Sequence, residues 1–97
     1  MDLFTDGRYA PMPSWLHDLI DSDMPTAHDR DRYLGFASSV MAGHHGELEI
    51  TGNAFNVHFS QAGVRVQCLW DESRSPECMG LAAFIQALTA LPGSRMP

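Results

Sequence analysis

The residues able to do chemistry sit close together in the middle of the chain. His44 and His45 stand just before Glu47, and His58 follows on an alternating segment. A zinc centre needs three or four convergent His, Cys or carboxylate ligands. Adjacent histidines rarely point at one ion, and this spacing matches no zinc pattern. At the end of a helix a histidine is favoured for a plainer reason, the negative end of the helix dipole. His58 falls on a polar strand face beside Glu47 and Arg65. A His–Glu pair has the makings of a general base, and equally of a cross-strand polar contact on a solvated surface. No Ser or Cys nucleophile has a placed partner there, because Cys68 belongs to the opposite face. Cys68 and Cys78 are too few for a disulfide framework and are not spaced as CxxC, so both are expected as reduced thiols in or near the core. Gly-rich phosphate loops are absent, and Arg30 and Arg32 alternate with Asp29 and Asp31. The residues predict no catalytic set, no metal and no cofactor.

The elements that carry these residues can be read from periodicity. Met12, Trp15, Leu16, Leu19 and Ile20 form one helical stripe, started by Ser14 as cap or Pro13 as first helical residue and ended by Pro25. A second helix starts at Thr26, which with Asp29 has the spacing of a capping box. Tyr33, Phe36, Ala37, Val40 and Met41 make its apolar stripe, and Gly43 and Gly46 are its stop signals. From Glu47 the period changes to two. Leu48 and Ile50, then Phe55, Val57 and Phe59, then Val64, Val66, Cys68 and Trp70 share one face of a half-buried sheet. A Gly52-Asn53 loop would pair Ile50 with Phe55 and Leu48 with Val57. A loop from Ser60 to Gly63 pairs Phe59 with Val64, Val57 with Val66 and Phe55 with Cys68, with Gly63 free to take positive φ. Cys78-Met79 adds a short fourth strand, and Leu81, Phe84, Ile85 and Leu88 are the buried stripe of a last helix, stopped by Pro92-Gly93. Trp15 and Trp70 both lie on apolar stripes and are assigned to the core.

The fold expected is therefore α+β. A three- to four-stranded antiparallel meander carries two N-terminal helices and one C-terminal helix on one face. The 97 residues suffice for a single domain, with an irregular start over 1–11 and a loose tail over 93–97. Residues 1–4 offer neither the basic nor the apolar region of a signal peptide, and no apolar run approaches the ~20 residues of a membrane span. A cytoplasmic protein is expected.

Twelve acidic residues face six arginines and no lysine, for a net charge of −6. Nucleic acid and anionic membranes need a basic surface, so neither is an expected partner. Asp18, Asp21 and Asp23 cluster after the first helix begins, and Asp71 and Glu72 form a second acidic site. Such residues either solvate a face or match a basic protein partner and speed its association.

The segments ELEITGNAFNVHFSQAGVRVQCLWDE and ECMGLAAFIQAL resemble the small immunity proteins of contact-dependent growth inhibition and related polymorphic toxin systems. The likeness covers about half the chain: a meander, a strand ending in Trp-Asp, a polar loop, then a helix with an aromatic, here Phe84, inside its apolar stripe. Gly80 departs from it, standing where a Ser or Asp cap is usual. The resemblance implies a cytoplasmic inhibitor without catalytic residues whose partner is a cognate toxin domain, often a basic nuclease. The acidic excess then points to Asp18, Asp21, Asp23, Asp71 and Glu72 as the residues that would cover its cationic cleft. The alternative is a structural or accessory module that homodimerises through an exposed sheet edge.

Overall fold

The structure is a computed structural model, and it describes residues 12–91. The expected irregular start over 1–11, the tail over 93–97 and the Pro92-Gly93 stop lie outside the described residues.

Helix α1 spans Ser14–Asp23. Pro13 is the residue that caps it, its carbonyl accepting from the N–H groups of Leu16 and His17 at 3.0 and 3.3 Å. Ser14 is thus the first helical residue and makes no side-chain cap. Helix α2 spans Ala27–Met41 and begins with the full capping box. The Asp29 N–H donates to Thr26 Oγ1 at 3.1 Å, and the Thr26 N–H donates back to Asp29 Oδ2 at 3.3 Å. Its end is a Schellman turn: Gly43 takes φ +84°, its N–H reaches the Val40 carbonyl, and the His44 N–H reaches that of Ser39. Gln61 also donates to the Val40 carbonyl, tying a strand turn to the helix end.

Strands β1 (Glu47–Thr51), β2 (Phe55–Ser60), β3 (Gly63–Cys68) and β4 (Glu77–Met79) form one antiparallel sheet in chain order, and α3 (Leu81–Thr89) closes the described chain. The β2–β3 register is the one expected, with Phe55 opposite Cys68, Val57 opposite Val66 and Phe59 opposite Val64. Gly63 takes φ +134° where a Cβ would lie 2.6 Å from the Met79 carbonyl oxygen, so glycine there also lets β4 approach.

The β1–β2 register differs from expectation by two residues. Ile50 lies opposite Val57 and Leu48 opposite Phe59. The Gly52 N–H donates to the Phe55 carbonyl, so Asn53 and Ala54 form the loop. Neither has positive φ; the turn is held from outside. The Asp23 carboxylate accepts from the Ala54 N–H at 3.0 Å and the Phe55 N–H at 3.1 Å. Those two donors would otherwise need local partners. Because the shift is even, every side chain keeps its face.

Helices α1, α2 and α3 share one core with the apolar sheet face. Phe59 lies at its centre, edge-on to Phe36 of α2 at 6.1 Å and to Phe84 of α3 at 5.7 Å. Leu16, Leu19, Tyr33, Leu34, Ala37, Val40, Val57 and Leu88 are buried with them. Three expectations are corrected. Met41, at the last turn of α2, is half exposed, and Leu34 takes the buried position instead. Trp70 is 67% exposed, because β3 ends at Cys68 and the strand alternation no longer applies beyond it. Asp23 is buried, its charge spent on the β1–β2 turn.

Candidate protein-binding surface

All the described helices lie on one side of the sheet, so among the described residues its other side carries no helix. Alternation puts Glu47, Glu49 and Thr51 of β1, Asn56 and His58 of β2, and Arg65 and Gln67 of β3 on that side. Glu49, His58 and Arg65 stand directly opposite one another across three strands, and Cys78 of β4 continues the row beside Arg65. Glu49, Asn56, His58, Arg65 and Gln67 line a shallow groove of about 300 Å³.

Two pairs among these side chains satisfy one another. His58 Nε2 lies 2.8 Å from Glu47 Oε1, a diagonal contact, since Glu49 is the residue directly opposite. Asn56 Nδ2 donates to Thr51 Oγ1 at 2.9 Å. The His58–Glu47 pair is therefore formed as the sequence suggested, by a different register. Cys78 is exposed on this face, a placement the sequence reading missed. The signal was present in Met79, whose inward apolar position fixes its neighbour outward. His44 and His45 are exposed in the loop after α2. Among the described residues, no three His, Cys, Asp or Glu side chains converge to hold a metal. No helix among them is long and apolar enough to cross a membrane.

A second feature lies at the end of this sheet. The Ala54 N–H is held by Asp23, and the Ala54 carbonyl accepts from the Leu69 N–H at 2.8 Å. Asn53 also reaches the Ser22 carbonyl at 3.4 Å. The last turn of α1, the β1–β2 turn and the segment after β3 are thus joined side by side. Leu69 and Trp70 emerge there, 45% and 67% exposed. The Arg74 guanidinium sits over the Trp70 ring, 5.7 Å from its centroid, a favourable stacking that fixes the ring. Arg74 is itself placed by a tight turn in which its N–H donates to the Asp71 carbonyl.

The acidic candidates divide. Asp18 and Asp21 are exposed, one turn apart on α1, and Glu72 is exposed in the 71–74 turn. Asp71 accepts from Ser73 Oγ at 2.6 Å and from the Ser73 N–H at 3.1 Å. Those two hydrogen bonds hold its carboxyl below the usual carboxylate range, so it stays ionised. Asp23 belongs to the interior. The contacts of Ala54 with Asp23 and Leu69 bring the C-terminal end of α1 and the segment leading into Asp71 to the same end of the sheet. Comparison with family models, curated proteins and solved structures finds no match to this chain.

Proposed function

We propose that this chain is an immunity-type binding protein, acting in the cytoplasm by occupying a toxin domain rather than by turnover. Its contact surface is the sheet end at Leu69 and Trp70, and its partner is a basic domain, of which a nuclease is the leading kind. The observation that supports this reading most is the Trp70 ring, exposed yet held by Arg74. Tryptophan is the residue most enriched among interface anchors, and an ordered ring loses little freedom on binding. Asp18, Asp21, Asp71 and Glu72 add the negative charge that a cationic cleft would attract.

The test is titration of the chain against the toxin domain encoded beside it. Trp70→Ala is expected to weaken binding by roughly 2 kcal/mol or more, the size typical of an interface anchor, with the circular dichroism spectrum unchanged. Full affinity in Trp70→Ala would remove this surface from the reading. Failure of the unaltered chain to bind or protect against that domain would remove the immunity function itself and favour a structural or accessory module.

A further inference from the structure

Strand β1 is one outer edge of the sheet and β4 the other. The two are built differently. Strand β4 has three residues and follows Pro76 directly, and short strands and prolines are common ways to blunt an edge. Strand β1 has five residues, with no proline, no lysine and no break in its pairing to β2. Among the described residues nothing pairs with its outer side.

The hydrogen-bond alternation says which groups stand free. The Gly52 N–H bonds the Phe55 carbonyl, so in an antiparallel ladder Ile50 and Leu48 also point their backbone groups at β2. The N–H and C=O groups of Glu47, Glu49 and Thr51 then point outward. The same three residues carry their side chains on the open face. A second copy of this chain is a poor occupant. Antiparallel pairing centred on Glu49 sets Glu49 against Glu49 of the copy, and a two-residue shift sets either Glu47 against Glu49 or Glu49 against Thr51 with the overlap shortened. Like charges directly opposite destabilise a strand pair.

We infer that the β1 edge receives an extended segment of a protein partner, added as a fifth strand, with arginine or lysine at alternate positions opposite Glu47 and Glu49. The intervening residues of that segment are apolar, because they lie beside Leu48, which is only partly buried at the rim of the core. The edge glutamates thus disfavour self-pairing and select a basic strand. Main-chain bonds supply affinity, and the alternating side chains supply the choice of partner. The inference rests on the protein-binding reading above and adds a second contact to it, independent of Trp70.

The probe is a short capped peptide alternating arginine and valine, added to the full chain while backbone amide exchange is followed by NMR. Two control peptides are used: one with glutamate for arginine, and one with its backbone amides N-methylated, which keeps the charge but loses the donors. The arginine peptide should slow exchange at Glu47, Glu49 and Thr51 and bind roughly tenfold or more tightly than the glutamate peptide. In Glu49→Arg, an exposed site that leaves the fold intact, the preference should narrow or reverse. Trp70→Ala should leave peptide binding unchanged, which separates this result from the toxin titration. Equal binding of the N-methylated peptide, protection at β4 rather than β1, or an unaltered preference in Glu49→Arg would each overturn the inference.

Discussion

Asp23 shows how much one side chain can decide. It is the single buried charged residue among those described, and its carboxylate holds the β1–β2 turn through two backbone donors. Gly52 is required beside it: a Cβ there would lie 2.5 Å from Asp23 Oδ2. Asp23→Ala leaves two N–H groups without their acceptor and should cost about 2–4 kcal/mol in a denaturant titration, given the strength of bonds to charged groups. Gly52→Ala should also destabilise, but distinctly less in the Asp23→Ala background, where the obstructing carboxylate is gone. Strict additivity of the two changes would show that they do not meet. Tyr33 gives a pH signature of the same neighbourhood. Burial first, then the charge of Asp23, push its hydroxyl up from 10.0 to about 12. The unfolded tyrosine loses its proton near the lower value and the folded one near the upper. Stability supplied by the neutral hydroxyl is therefore complete below pH 10 and drains away as pH rises towards about 12. Melting temperatures across that window should fall, and the late tyrosinate absorbance should shift to lower pH in Asp23→Ala. Asp23 was open to misreading because a run of aspartates in sequence carries no mark of which one turns inward.

At the scale of elements, the faces were legible and one register was not. Alternation assigned every strand residue from Leu48 to Cys68 to its observed side, because the apolar face had a core to enter. The β2–β3 loop follows from its own residues, with Gly63 supplying the positive φ. The β1–β2 loop does not. Its donors are satisfied from α1, 31 and 32 positions earlier, and no local pattern records such a contact. Trp70 escaped for a related reason: period two has meaning only while the strand lasts, and β3 ends two residues before it. The apolar stripe of α3 was fully legible. Phe84 is completely buried against Phe59. Phe84→Ala should cost about 3–5 kcal/mol by lost burial and the cavity left behind, a large part of the ~5–15 kcal/mol that holds a domain folded. An unchanged denaturation midpoint would mean that α3 does not seat on the sheet as described.

The whole molecule separates its two tasks by side. One sheet face and the three helices spend their apolar residues on a shared core, while the acidic excess is left to the surface. The proposed contact surface was only half visible beforehand: the acids were evident, but the exposure of Trp70 depends on where β3 ends. If that end meets a basic partner, reversing Asp18 and Asp21 to arginine should slow association while preserving the melting temperature, since both are exposed. Raising salt should act in the same direction, as the Debye length contracts from ~10 Å at 0.1 M to ~3 Å at 1 M. Association rates indifferent to both changes would leave no electrostatic role for these residues.

The Asp23 clamp also orders events in time. Strands β1, β2 and β3 are joined by tight turns, and hairpins of that kind close within ~1–10 μs. The clamp joins residues far apart in the chain, and its carboxylate finds both donors only once the β1–β2 turn exists. Its loss should therefore leave the refolding rate nearly unchanged and appear as faster unfolding, the behaviour of contacts made after the rate-limiting barrier. Stopped-flow traces of Asp23→Ala would show a shifted unfolding limb beside an almost unmoved folding limb. A slowed folding limb would instead place the seating of α1 inside the nucleus, and make the first helix a founder of the fold rather than its latch.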